Sequence, residues 1–126
     1  MHTNRSFEDD VLWIIRQNSE EGPVSRDQLI RWLRAAGWLT DISDRHADRK
    51  ARDAIQRLRT EHPEGGRIVS TSRSAGYFWA ETPEEIEACM AEDESRMRAL
   101  SAKLRNMRSA RDRLNIRPLE QGRLDL

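Results

Sequence analysis

The chain has 126 residues, 37% hydrophobic and 35% charged, with 22 basic and 22 acidic side chains that cancel. That length holds one small domain plus an appendage, and the modest apolar fraction excludes a large sandwich or barrel core. No apolar run is long enough to span a bilayer, the polar and acidic residues 1–10 lack the apolar stretch of a secretory signal, and a lone Cys89 excludes an internal disulfide framework and fits a reducing, cytoplasmic setting.

A first helix is predicted over 7–17. Phe7, Val11, Ile14 and Ile15 recur at helical spacing, with Leu12 beside them. Ser6 is placed to cap it, and Glu8, Asp9 and Asp10 occupy the first turn, where the helix dipole favours acids. Gly22 and Pro23 end the segment. A second helix is predicted over 24–36. Ser25 is its cap, Gln28 follows three residues on as in a capping box, and Leu29, Ile30, Leu33 and Ala36 form the inward stripe. Gly37 supplies the stop.

Residues 38–47 form a connector rich in turn formers: Thr40, Asp41, Ser43 and Asp44. A third helix starts at Ser43 or Asp44, or one turn later at Asp48, and ends near Glu61. Ala47, Ala51, Ala54, Ile55 and Leu58 make its buried stripe, and the small alanines permit close approach of neighbours. His62, Pro63, Gly65 and Gly66 break it. Two short strands are predicted over 67–70 and 77–80, where Ile68, Val69, Tyr77, Phe78 and Trp79 suit a half-buried pleat. Residues 71–76 form a polar hairpin loop between them. Trp13, Trp32, Trp38 and Trp79 are core candidates, with Trp38, just past a helix-ending glycine, alternatively an exposed contact.

Thr82 as cap, Pro83 at the first helical position and acids at 84 and 85 predict a strong helix start. The helix is predicted to reach Leu114. Ile86, Met90, Met97, Leu100, Leu104, Met107 and Leu114 fall at alternating spacings of four and three, a seven-residue repeat interrupted at Asp93 and Arg111. Residues 115–126 contain Pro118 and Gly122 and no periodicity, so a flexible tail is expected there. The expected fold is therefore mainly α with a small β-hairpin (α+β). It divides into a winged helix-turn-helix domain (1–81), a long dimerisation helix (82–114) and the tail.

Charge is segregated along this plan. Residues 45–59 hold six basic residues against Asp48 and Asp53, residues 81–94 hold seven acids and no Lys or Arg, and residues 95–126 hold nine basic residues against three acids. Three helices followed by a hairpin is the layout of a winged helix, whose third helix is narrow enough to enter the DNA major groove. The outward side of that helix offers Arg45, Arg49, Lys50, Arg52, Asp53, Gln56 and Arg57, and the hairpin tip offers Ser72, Arg73 and Ser74. Arg matches guanine edges and Gln adenine edges, while Arg and Lys also bind phosphates without reading sequence.

The runs 48–59 and 68–80 resemble the recognition helix and wing of small bacterial winged-helix regulators, broadly the biotin repressor type of N-terminal domain. With 82–87 and Ser95-Arg96, the chain is similar to short helix-turn-helix proteins encoded by bacteriophages and prophages. The resemblance covers roughly 7–108 and departs from the pattern at 40–47, which is longer than the usual turn. It implies DNA binding. Taken with the element order and the basic third helix, the expected function is sequence-specific binding of double-stranded DNA by a phage or prophage transcriptional regulator.

Dimerisation is expected through Ile86, Met90, Met97, Leu100, Leu104 and Met107, giving a homodimer. The alternative is a protein-interaction module on the same scaffold, with a host or phage protein as partner, for example an inhibitor of a host nucleic-acid enzyme. In a third arrangement the long helix folds back on its own domain. No enzyme activity, cofactor or metal is expected. His2, His46, His62 and Cys89 lack ligand spacing, Gly65-Gly66 lacks the rest of a phosphate loop, and the acids at 84–87 are ordinary helix-start chemistry.

Overall fold

Ser6 opens α1 (Phe7–Asn18). Its hydroxyl accepts from the Asp9 N–H at 3.1 Å, and the Asp9 carboxylate accepts the Ser6 N–H at 3.4 Å. The reciprocal bond satisfies two of the donors a helix start leaves orphaned; the Asp9 half was not anticipated from the sequence. The computed structural model describes residues 5–124, with side chains over 5–116, in two units, Met1–Cys89 and Met90–Leu126.

α2 (Arg26–Ala35) carries the expected Ser25–Gln28 capping box but starts two residues later than predicted. Ser25 as cap keeps extended backbone, so Val24 before it is extended too. Val24 instead exchanges two backbone hydrogen bonds with Tyr77, at 2.7 and 2.8 Å. At the other end Gly37, at φ +96, takes the left-handed position as expected. The Trp38 N–H returns to the Leu33 carbonyl (2.9 Å) and the Gly37 N–H to that of Arg34 (3.0 Å), the paired bonds of a Schellman stop.

The connector then holds Leu39 and Asp41 at positive φ, 59° and 61°. Arg34 spans it from one side, donating to the Ile42 carbonyl (3.1 Å) and to Asp44 (2.8 Å). Ser43 caps α3 (Asp44–Glu61) by accepting the His46 N–H, so the helix begins at the earlier of the two predicted starts.

Ala47, Ala51, Ala54, Ile55 and Leu58 are all buried, as the pattern of α3 predicted, and α3 packs on α1 and α2. Val11, Ile15, Leu29 and Leu33, at 0% exposure, fill the centre between the three helices. Each such side chain contributes about 1.5–3 kcal/mol by leaving water. Asp10 is the buried acid, 2% exposed; its carboxylate accepts the Trp38 indole N–H at 2.6 Å and lies 3.5 Å from Arg5. Trp38 is therefore half-buried against the core, while Trp13 is the exposed tryptophan, at 44%.

β1 (Ile68–Val69) and β2 (Phe78–Trp79) pair antiparallel, Ile68 opposite Trp79 and Val69 opposite Phe78. Both are shorter than predicted. Arg67 belongs to a 3-10 turn, Gly65–Arg67, and Tyr77 is engaged with Val24. Gly76 lies so close to this bridge that a Cβ there would sit 2.2 Å from the Val24 carbonyl oxygen. A single extended residue before α2 thus adds a third strip to the ribbon, which the sequence pattern concealed inside a predicted helix.

α4 (Pro83–Leu124) starts where expected. Thr82 and Glu85 cap it reciprocally: the Glu85 N–H donates to the Thr82 hydroxyl and the Thr82 N–H to the Glu85 carboxylate. Its backbone continues to Leu124, past the predicted end at Leu114. Of the tail expected over 115–126, residues 125–126 and the side chains from 117 lie outside the described residues. In the first unit Cys89 donates its thiol to the Ser70 carbonyl at 3.3 Å, which fixes the first turns of α4 beside the end of β1. In the second unit Met90, Met97, Leu100, Leu104, Met107 and Leu114 are 40–66% exposed. No helix among the described residues is long and apolar enough to cross a membrane.

Candidate nucleic-acid interface

The outward face of α3 follows from its inward one. Ala47, Ala51, Ala54 and Leu58 define the buried side, and at 100° per residue Arg45, Arg49, Arg52 and Gln56 fall opposite them. All four are exposed. They form one stripe, spaced four, three and four residues, roughly 16 Å long at 1.5 Å per residue. Asp53, Lys50 and Arg57 flank it and are exposed as well; the last two lie toward α1, and all three help line a shallow pocket with Phe7, Glu8, Trp38 and Leu39.

Charge balance on this face is set by neighbouring elements. α3 has its own acids, and α2 neutralises two of them: Arg34 holds Asp44, and Arg26 reaches Asp48 at 3.3 Å. Asp48 also accepts Arg52 Nε at 3.1 Å, and Glu8 of α1 holds Arg57 at 2.7 Å. These pairs are solvent-exposed and worth about 0–1 kcal/mol each, so a phosphate can displace the carboxylate at small cost. Arg45, Arg49 and Lys50 have no carboxylate within ion-pair distance among the described residues. In the first unit two of the four acids after β2 are occupied locally. Glu81 pairs with Arg67, and Glu85 caps α4. None of the described acids over 81–87 pairs with the basic side chains of 45–59.

The loop after β1 is rigid for its size. The Ser74 N–H donates to the Thr71 carbonyl at 3.0 Å, and the Ser74 hydroxyl accepts the Thr71 N–H at 2.9 Å while lying 3.1 Å from the carbonyls of Thr71 and Gly76. Ser74 is therefore half-buried, its hydroxyl committed to the loop itself. Ser72 and Arg73 are exposed at the tip. The ribbon is also tied to α3. Arg59 donates to the Ile68 carbonyl (2.9 Å) and the Ser70 hydroxyl (3.2 Å), with its guanidinium 5.5 Å from the Tyr77 ring. This tether and Arg26 were not among the sequence-derived site residues. Arg59 stood inside the basic block but carried no signal separating it from its neighbours; only the turn at 62–67 brings it back against β1.

The structure thus gathers Arg45, Arg49, Lys50, Arg52, Asp53, Gln56 and Arg57 on one exposed helix, and places Ser72 and Arg73 on a braced hairpin joined to it. The arrangement can present guanidinium groups and one amide to a polyanion or to base edges. No group of His, Cys, Asp and Glu able to hold a metal ion occurs among the described residues. A comparison of the chain with known protein families, curated proteins and solved structures finds none that it matches.

Proposed function

We propose that the chain binds double-stranded DNA in a sequence-specific way, as a winged helix-turn-helix regulator of the phage or prophage type. In this reading α3 enters the major groove and the 71–76 loop approaches the adjacent backbone as the wing. The observation that carries it is the exposed stripe Arg45, Arg49, Arg52 and Gln56, with two acids of the same helix, Asp44 and Asp48, paired with Arg34 and Arg26 of α2. Arg45, Lys50 and Arg73 serve as phosphate contacts, and Arg49, inside the stripe, and Gln56, at its end, serve as base readers. The Val24–Tyr77 bridge supports the reading, since it ties the hairpin to the chain just ahead of α2. The protein acts as a homodimer through α4.

The test is unbiased selection of bound DNA fragments by the purified protein at two salt concentrations. Fragments sharing a motif, retained less at the higher salt, are the expected result. No retention at low ionic strength, or retention indifferent to salt, overturns it. A second reading, a protein-interaction module on the same scaffold, draws on the seven acids of 81–94. One stoichiometric protein partner together with no DNA shift would establish that reading instead.

A further inference from the structure

The exposed apolar stripe of α4 has two interruptions, Asp93 and Arg111, which sequence reading treats as defects. They are opposite in charge and their positions are not arbitrary. In a seven-residue repeat, Met90, Met97, Leu104 and Arg111 occupy one core position, and Ile86, Asp93, Leu100, Met107 and Leu114 the other. In an antiparallel pair each residue of the first set faces one of the second. Placing Leu100 opposite Leu104 of a second copy, centred on Ala102, also places Met97 opposite Met107 and Met90 opposite Leu114. The same register sets Asp93 opposite Arg111. Both interruptions then fall in the same layers, one at each end, as complementary charges.

We infer that α4 pairs with α4 of a second copy of this chain in antiparallel orientation, centred on Ala102, with Asp93 of each copy facing Arg111 of the other. This inference rests on the homodimer proposed above and not on DNA binding. Other arrangements do worse. A register shifted by one heptad sets Arg111 against Leu100, or Asp93 against Leu104. A parallel, in-register pair stacks Asp93 on Asp93 and Arg111 on Arg111. Antiparallel pairing also brings the acidic start of the stripe (Glu92, Asp93, Glu94) against the basic end (Arg108, Arg111, Arg113), with Glu94 and Arg108 at flanking positions on one side. One like-charged juxtaposition results, Lys103 with its own copy, at the edge of the seam where flexible stems splay into water. Among the described residues of one chain, Asp93 is held by an exposed bond from Arg96 at 2.9 Å, and Arg111 by its neighbour Asp112 at 3.3 Å. Both remain available to a partner.

The test uses the full chain with Cys89→Ser, which keeps a hydroxyl donor for Ser70. Sedimentation equilibrium comes first, and a dimer at micromolar concentration is expected. Met97→Cys and Met107→Cys are then oxidised alone and mixed. Antiparallel pairing separates two copies of residue 97 by about 15 Å along the axis, too far for a disulfide, whereas 97 and 107 face each other. The mixture should cross-link and the single variants should not. Asp93→Arg alone, or Arg111→Asp alone, should weaken the dimer at least about tenfold, and the double reversal should restore it. A monomer at all concentrations overturns the inference together with the homodimer. Self-linking of Met97→Cys in a stable dimer, or single reversals without effect, overturns the orientation and leaves the homodimer standing. Neither outcome touches DNA binding.

Discussion

Removing Arg49 separates phosphate binding from base reading with a single side chain. The side chain is exposed, faces away from Ala47, Ala51 and Leu58, and holds no carboxylate. Arg49→Ala should therefore leave stability within about 0.5 kcal/mol. Among the described residues, four cations of the proposed interface have no ion pair: Arg45, Arg49, Lys50 and Arg73. If each neutralises one phosphate, the logarithm of affinity falls with the logarithm of salt with slope about −0.9 × 4, or −3.6. Raising salt from about 50 to 200 mM then weakens binding about 150-fold per unit. If Arg52 and Arg57 also exchange their carboxylates for phosphates, the slope steepens to about −5.4 and the loss to about 2,000-fold. Were Arg49 a phosphate contact, Arg49→Ala would reduce the four-cation slope to about −2.7 and the salt effect to about 40-fold, equally for every sequence. As a base reader, the role proposed above and favoured by the middle of the stripe, Arg49 neutralises no phosphate, so the wild-type slope is itself about −2.7 and Arg49→Ala leaves it nearly unchanged. Its removal instead relaxes one position of the site by about 1–3 kcal/mol. Fluorescence anisotropy with selected and scrambled duplexes over a salt series distinguishes these. A slope near zero, or an Arg49→Ala protein identical to wild type in slope and in sequence preference, refutes the interface.

Three further outcomes follow from the first unit and the start of α4. Trp38→Phe removes the indole donor from the buried Asp10 carboxylate and should cost about 1.5–3 kcal/mol in urea unfolding, whereas Trp13→Phe, at an exposed site, should cost little. Gly76→Ala drives a Cβ into the Val24 carbonyl and should destabilise by about 1–3 kcal/mol, with amide exchange at Val24 and Tyr77 accelerating first. Glu85 is held below the ordinary glutamate value of 4.5, chiefly because its carboxylate accepts the Glu81 N–H; desolvation opposes this, and the Thr82 N–H and hydroxyl add to the lowering. Since the folded value is the lower one, its contribution is present above about pH 4.5 and is lost as pH falls through the folded value. An NMR titration should place its midpoint below those of ordinary glutamates, with fraying of the first turn of α4 on acidification; a midpoint at or above 4.5 refutes the cap.

Where side-chain pattern and cap chemistry point the same way, the elements were legible from the chain alone. Ser6, Ser25, Ser43, Gly37 and Thr82 all act at helix ends as their types predict, and the alanine stripe of α3 faces inward. What escaped was set by pairing over distance. Val24 has the hydrophobicity of a helix residue, and only Tyr77, fifty-three positions later, holds it in an isolated β-bridge. Asp10 looked like a first-turn acid favoured by the dipole, but its neighbours on the helix do not reveal that Trp38 folds back over it. Trp38, a core candidate with exposure as its alternative, packs against the core, where the Schellman turn aims it. The outward stripe of α3 was readable because it is the complement of a buried stripe. The bracing of Ser74 and Arg59 was not, because both act on backbone carbonyls that leave no trace in side-chain pattern.

The placement of the aromatic residues divides the molecule optically. Every Trp, and the single Tyr, lies at or before position 79, and α4 has none. Indole emission therefore watches only the three-helix unit and its ribbon, and Trp79, buried with the Arg67 guanidinium 4.8 Å from its ring, is the interior reporter. Far-ultraviolet dichroism, in contrast, is weighted toward the forty-two residues of α4. Heating the protein while recording both signals yields two independent melting curves from one unlabelled sample. A dichroism midpoint that rises with protein concentration while the emission midpoint stays fixed would mark self-association through the long helix without any dye or mutation.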